Sequence, residues 1–297
     1  MVIKKLKKNS AFTLLEMIIV IVVFGIVSSI SAEIFAKIYD AYLSSRSLSQ
    51  IETKTELTLE IIAKRLQHRI TGTVIASKNP DGPIYGEDFI SLSNANSTFQ
   101  NLEWISYDVD AFIGDWNGSM HRQEWSGFAD LYHPETNVTT LISPGSSFRN
   151  IDFSHRVIIF DKLCPVQDYG LHNPNDHNCS LAVKNVISDT KLILENNPEK
   201  DMVEHYYVAK EAYAIVVEGD DEDFNLTLHY NYQPWEGENY NSIEAKKALL
   251  IEHVNTFRLM QATDGTTIRI KLCVWAPFSD EKNSGINTSV CKEKIIF

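Results

Sequence analysis

One carboxylate stands at the edge of the most apolar stretch of the chain. Glu16 precedes an almost unbroken apolar run from Met17 to Ala32. A carboxylate near the middle of a bilayer or of an apolar helix bundle costs roughly 2.5 to 3.5 kcal/mol. An ammonium group about 4 Å away returns about 4 kcal/mol at an effective dielectric constant of 20. Glu16 therefore either meets a cation or, one turn inside the apolar boundary, reaches lipid headgroups or water.

The four cysteines are the second group of residues whose side chains could take part in chemistry. They are Cys164, Cys179, Cys273 and Cys291, and an even number in an exported region favours disulfides. Three connectivities are possible. The sequence-local pairing, Cys164 with Cys179 and Cys273 with Cys291, is preferred, and each bridge would contribute about 3 kcal/mol.

Several polar clusters raise the question of a metal site. His172, His177 and Cys179 lie close together, but their spacing matches no standard zinc pattern, so a solvated loop is preferred. Asp221, Asp223 and Asn225 could begin a calcium loop, yet the glycine and distal glutamate of an EF-hand are absent. An exposed loop is likewise preferred for the carboxylates near Trp116, which are Asp108, Asp110 and Asp115. No metal and no cofactor are expected.

Motifs for enzymatic chemistry are missing from the sequence. It contains no GxSxG, no HExxH and no glycine-rich phosphate loop, so we expect no catalytic residues and no enzyme. The tryptophans could include an exposed binding platform, although most aromatic residues of such a domain fill its core. They are Trp104, Trp116, Trp125, Trp235 and Trp275.

The amino-terminal segment is long enough to cross a membrane. From Phe12 to Ala32 it has about 21 residues, which span roughly 30 Å as a helix, the thickness of a bilayer core. Four lysines, Lys4, Lys5, Lys7 and Lys8, precede it, and the chain after it is acidic. The positive-inside rule then predicts an amino terminus in the cytoplasm and a head outside.

This leader, the Ala11-Phe12 junction, the sequence Phe12-Thr13-Leu14-Leu15-Glu16 and the apolar run together resemble the class III signal of type IV prepilins and pseudopilins. The resemblance covers about residues 4 to 35. It implies a prepilin peptidase that cuts between Ala11 and Phe12 and methylates the new amino group of Phe12. The family usually has glycine before the cut, and Ala11 is the smallest replacement for it.

The resemblance also implies a role for the costly carboxylate. In a pilin-like assembly Glu16 would meet the charged Phe12 amine of a neighbouring subunit and set the register of insertion. The alternative is a plain membrane anchor in which Glu16 is only an interfacial charge.

Helical spacing continues beyond the membrane segment. Apolar residues recur every three or four positions and no proline precedes Pro80, so a helix of about 59 residues, or about 88 Å, is predicted from Phe12 to Ile70. The residues of this pattern are Ile34, Ile38, Tyr42, Leu59, Ile62, Leu66 and Ile70.

After Gly72 the chain reads as short strands separated by turns. The expected organisation is a leader at 1–11, a transmembrane or filament-core helix at 12–34, its amphipathic continuation at 35–72, and a β-rich extracytoplasmic head at 73–297. One helix packed on an antiparallel sheet is an α+β fold, which the pilin resemblance also implies. The predicted strands are 104–109, 156–160, 205–217, 224–232 and 291–297, and a hairpin of 254–261 with 267–275 around Thr263-Asp264-Gly265.

The charge and the size of the chain limit the classes of binding partner that we expect. The chain has a net charge of −12, and without its four leader lysines 23 basic residues remain against 39 acidic ones, or −16. Such a head would repel a nucleic-acid backbone unless it carries a local basic patch. The end of the long helix and the late hairpin loosely resemble J-type minor pseudopilins of type II secretion or W-type minor pilins. The expected partners are prepilin peptidase, other major and minor pilins or pseudopilins, and an inner-membrane assembly platform.

Two functions from different classes follow. The first is a minor pseudopilin or minor pilin, in the bacterial inner membrane before assembly and in a filament afterwards. The second is a membrane-anchored ectodomain that binds or hydrolyses a ligand and uses the helix only as a tether. Phe12 and Glu16 discriminate between them, because a tether has no use for either.

Overall fold

The computed structural model describes residues 13–78, 82, 84–96, 98–116, 118–162, 164–173, 175–195, 202–220, 222–262, 265–276 and 289–297. Its architecture is α+β, as predicted: one long amino-terminal helix and a large antiparallel sheet.

The long helix α1 spans Leu14–Leu66 and has 53 residues. Its apolar first part is exposed throughout, whereas its second part packs on the head. The predicted continuation to Ile70 is wrong by one turn. Gln67 caps the helix, and the Ile70 N–H leaves the helical direction to donate to the Ile105 carbonyl at 2.9 Å. Ile70 is nevertheless buried as its apolar pattern predicted.

The second half of α1 packs on three strands near the end of the chain, Lys246–Gln261, Ile268–Trp275 and Ser289–Ile296. Its buried stripe starts earlier than the apolar pattern indicated, because small polar residues occupy the first positions. Thr55 is fully buried, and its hydroxyl donates to the Ile51 carbonyl at 2.7 Å, so no polar group is left unpaired there. The buried residues of α1 are Ser47, Ile51, Thr55, Thr58, Leu59, Ile62, Ala63 and Leu66.

The described part of the head contains fourteen strands, one short α-helix and five single-turn 3-10 helices. The short helix α2 spans Val109–Ile113. The strands are β1 Ile75–Ser77, β2 Phe89–Ser91, β3 Asn101–Tyr107, β4 Asp115–Trp116, β5 His121–Arg122, β6 Thr140–Ile142, β7 Val157–Phe160, β8 Leu181–Ser188, β9 Lys191–Leu194, β10 Tyr206–Asp220, β11 Asp223–Tyr232, β12 Lys246–Gln261, β13 Ile268–Trp275 and β14 Ser289–Ile296.

Twelve of these strands form one sheet in which every pairing is antiparallel. The order runs β14-β13-β12-β11-β10-β7-β8-β9-β6. The sheet branches at β10, which pairs with β7 through its first residues and with β3 through the later ones. The remaining pair, β4 and β5, is a separate small hairpin.

The hairpin predicted near the end is present, since β12 pairs with β13 in a register that places Leu259 opposite Ile270. Thr263 and Asp264 of its predicted turn lie outside the described residues. β11 lies beside the hairpin on one side and β14 on the other. The strand predicted for 104–109 differs: β3 ends at Tyr107, because Asp108 accepts from the Ala111 N–H and starts α2.

The head has three apolar clusters. The first lies between α1 and strands β10 to β14, and the second lies around Tyr169, Tyr232 and Tyr240. The third, around Trp125, Phe148 and Tyr206, belongs mostly to the segment between β3 and β10. This segment forms an additional lobe on the branch of the sheet that leads through β7 to β6.

Candidate assembly and processing site

The first helical turn carries the residues that sequence analysis singled out. Ala11 and Phe12, the expected cleavage and methylation positions, lie outside the described residues. Thr13 is the first described residue and occupies the N-cap with extended backbone angles, φ −76° and ψ 151°.

Glu16 closes the amino-terminal end of its own helix. Glu16 Oε2 accepts from both the Thr13 N–H and the Thr13 hydroxyl at 3.0 Å. In return the Thr13 hydroxyl oxygen accepts from the Glu16 N–H at 3.4 Å. This is a capping box, which satisfies two of the orphan donors at a helix start. Thr13-Leu14-Leu15-Glu16 has the T-x-x-E spacing of that motif, a signal that sequence analysis missed.

The cap leaves part of the carboxylate available. Among the described residues no donor forms a hydrogen bond or an ion pair with Glu16 Oε1, whereas a carboxylate can accept about four hydrogen bonds. Its surroundings are exposed and apolar: Leu14, Leu15 and Met17 expose 79%, 67% and 58% of their surface. A cation could therefore bind Glu16 without breaking the cap, in a setting that other apolar surfaces or lipid would cover.

Comparison with known proteins bears on this same segment. Residues 6–32 match the family described as the prokaryotic N-terminal methylation motif. The chain carries this motif. The match includes Ala11, Phe12 and Glu16 and is consistent with the class III signal of a pilin or pseudopilin. No curated protein and no solved structure matches the chain.

The motif and the exposed apolar helix fit a membrane-anchored protein. Among the described residues, α1 is the one helix long and apolar enough to cross a membrane. The motif also implies processing by prepilin peptidase and assembly with other pilins.

The structure joins the cysteines in the sequence-local pattern. Cys164 is bonded to Cys179, and Cys273 to Cys291. The second bridge links direct cross-strand partners of β13 and β14, which secures the last strand to the hairpin.

The disulfides also bear on the zinc alternative. Cys179 is oxidised, so it offers no thiolate, and His172 is turned into the core. Within the described residues, one group of three potential ligands lies close together, Cys164, Asp168 and Cys179, and two of its members form a disulfide.

The carboxylates considered for calcium have other roles in the described structure. Asp108 caps α2 and binds Arg156 Nε at 2.6 Å. Asp223 contacts His253 Nδ1 at 3.2 Å. Asp221 lies outside the described residues.

The tryptophans divide between core and surface. Trp104 and Trp125 are buried, whereas Trp116 exposes 60% of its surface on the β4–β5 hairpin. Trp235 and Trp275 are half-buried, and the Trp275 Nε1–H donates to the Glu222 carbonyl at 2.8 Å. The five residues therefore form no single platform.

One buried ionisable pair in the head carries no signal in the sequence. His172 Nε2 lies 2.7 Å from Glu103 Oε1, and both side chains are almost fully buried. Burial disfavours the charged imidazole, but the Glu103 carboxylate and the Gly82 carbonyl outweigh it, so the pKa of His172 is raised. Glu103 and His172 are far apart in the chain, so neither spacing nor hydropathy indicates their contact.

Proposed function

We propose that the protein is a minor pseudopilin or minor pilin, a structural subunit that helps to initiate or cap a type II secretion pseudopilus or a type IV pilus. The observation that carries the proposal is the methylation motif at residues 6–32. The position of Glu16 in the first turn of an exposed apolar helix supports it. No catalytic step is assigned to the protein.

The proposed sequence of events begins at the membrane. The chain inserts with its amino terminus in the cytoplasm, prepilin peptidase cuts between Ala11 and Phe12, and Phe12 is N-methylated. Extraction into a filament then brings a neighbour's charged Phe12 amine to Glu16. An ammonium at about 4 Å contributes roughly 4 kcal/mol at an effective dielectric constant of 20, which offsets the cost of burying the carboxylate.

The capping box gives Glu16 two separable functions. Its carbonyl-type acceptor at Oε2 closes the helix, and its negative charge would pair with the partner amine. Glutamine keeps the acceptor and loses the charge. Glu16→Gln therefore tests pairing, while Thr13→Ala tests the cap.

The experiment compares these two variants with the wild type in the native host. We expect Glu16→Gln to insert in the membrane but to recover at least tenfold less complex with other motif-bearing subunits, a loss of about 1.4 kcal/mol or more. Thr13→Ala should retain most recovery, because loss of a cap costs only about 1 kcal/mol of helix stability. Normal recovery with Glu16→Gln, together with a loss in Thr13→Ala, would show that Glu16 serves only its own helix.

The proposed place at a filament tip or in an accessory complex rests on size. The head, with its additional lobe between β3 and β10, is large for repetition along a tightly wound filament.

The alternative, an ectodomain tethered by the helix, predicts that any membrane helix can replace residues 12–34. Loss of function after such a replacement, with the head still exported and folded, would favour the structural subunit.

A further inference from the structure

A groove of about 640 Å³ opens between the β12–β13 hairpin and the loop that follows β2. Part of its lining is apolar and comes from Phe99, Phe257, Leu259 and Met260. Met260 exposes 61% of its surface. The groove therefore offers apolar surface to a ligand from outside.

The same groove is lined by uncompensated positive charge. Arg258 and Lys271 are direct cross-strand partners, and like charges opposite each other disfavour strand pairing. Glu293 is the cross-strand partner of Lys271 on its other side, but its carboxylate binds Arg269 Nε at 2.7 Å. Among the described residues, Arg258 and Lys271 have no ion-pair partner. A chain of net charge −12 thus keeps a local basic patch at this groove.

The groove also contains an acceptor that lacks a donor. Asn255 Oδ1 is buried and has no hydrogen-bond partner among the described residues. The register of β12 shifts between Val254 and Thr256, and such an irregularity leaves the intervening residue outside the ladder. Because an unsatisfied buried acceptor is unfavourable, a ligand that brings an N–H here would be stabilised.

We propose that this groove binds an extended acidic segment of another protein. Its carboxylates would pair with Arg258 and Lys271, its apolar side chains would contact the partly exposed Phe257 and Leu259, and a backbone N–H would donate to Asn255 Oδ1. A nucleic-acid backbone could meet the same two charges. The peptide is favoured because the net charge of the chain repels a long polyanion and because the groove offers apolar surface and an acceptor.

The test uses the full chain in lipid nanodiscs and a fluorescent eight-residue peptide of alternating glutamate and leucine. Fluorescence anisotropy should detect binding that weakens as salt is raised, since the contacts are exposed charges. Arg258→Glu combined with Lys271→Glu should weaken binding at least tenfold. The matched control is Lys246→Glu combined with Lys247→Glu, which changes the charge of the same strand equally but outside the groove, and should leave affinity within twofold.

Three further probes separate the contributions. An alternating lysine and leucine peptide should not bind the chain, and the acidic peptide should not bind empty nanodiscs. Asn255→Leu should weaken binding without changing its salt dependence. Absence of acidic-peptide binding, equal binding by the Arg258 and Lys271 variant, or tighter binding of a short single-stranded DNA would overturn the proposal. Because processing and Glu16-dependent assembly are measured separately, such a result would leave the proposed function untouched.

Discussion

At the scale of single residues, the buried pair of Glu103 and His172 is defined by hydrogen-bond chemistry. His172 Nδ1 lies 3.1 Å from the Gly82 carbonyl, which can only accept, so this nitrogen carries a proton. Glu103 also accepts from the hydroxyls of Ser77 and Tyr232. His172 Nε2 lies 2.7 Å from Glu103 Oε1, so a protonated ring donates to the carbonyl and to the carboxylate together, in keeping with its raised pKa.

This pair gives the head a pH dependence of definite sign. Glu103 and Asp88 are the charged groups that raise the pKa of His172 against the opposing effect of burial. Since the pKa is raised on folding, the stabilisation is fully present below the ordinary histidine value of about 6.5 and is lost as pH rises through the folded value. Urea unfolding should therefore show stability that decreases as pH rises above the ordinary histidine value.

Two variants isolate the pair. His172→Gln should destabilise the head by about 3 to 5 kcal/mol, because it leaves a buried carboxylate without its cation. The combined His172→Gln and Glu103→Gln variant should recover part of this loss and should lack the decrease in stability with rising pH. If the double variant keeps the wild-type pH profile, another group is responsible for it.

At the scale of elements, β14 connects the head to the long helix. It pairs with β13, its Cys291 is bonded to Cys273, and Lys292 and Lys294 reach Glu56 and Glu60 of α1. These ion pairs are partly exposed, and exposed pairs contribute at most about 1 kcal/mol each. The disulfide is thus the strongest single constraint on this strand.

Cys291→Ser should loosen β14. Closing a loop of this length contributes about 3 kcal/mol by chain entropy, and without it the strand depends on its ladder and on the burial of Ile296. Limited proteolysis followed by mass spectrometry should show earlier cleavage in residues 289–297. Cys164→Ser, which breaks the other bridge, is the control and should leave that region as resistant as in the wild type. Free thiols in the exported wild-type protein would contradict the expectation.

The strands and the long helix also show which parts of the fold can be predicted from the sequence. Alternation identified β12 and β13, because Ile268, Ile270 and Leu272 face the helix and are buried while Arg269 and Lys271 are exposed. The burial of Ser47, Thr55 and Thr58 could not be predicted from the sequence, because it depends on close packing and not on hydropathy. The branch at β10 was equally hidden, because two different partners share one continuous strand.

The candidate site was predictable to a different degree. Glu16 and the Ala11-Phe12 junction were found because their short-range pattern is specific. The groove beside β12 was not, because Phe99 and Lys271 come together only through the tertiary fold.

At the scale of the whole molecule, the chain combines three environments. An apolar helical segment lies exposed in the isolated chain, a partly packed stem follows it, and an acidic head carries two disulfides. The apolar surface must be covered by lipid or by other helices, since exposed apolar surface of this extent marks a membrane or protein contact. The proposed removal of the basic leader would make the chain more acidic and would leave Phe12 with a free amine.

The proposed assembly of the protein therefore depends on removal of its leader. Intact-mass and amino-terminal peptide analysis of protein from its native host should show loss of residues 1 to 11 and one methyl group on Phe12. Ala11→Gly should be processed at least as fast as the wild type, because glycine is smaller at the cut, whereas Ala11→Leu should accumulate the uncut form in the membrane. An assembled protein that retains its leader would refute the pilin-like proposal, since Phe12 would then have no amine to offer the carboxylate of a neighbour.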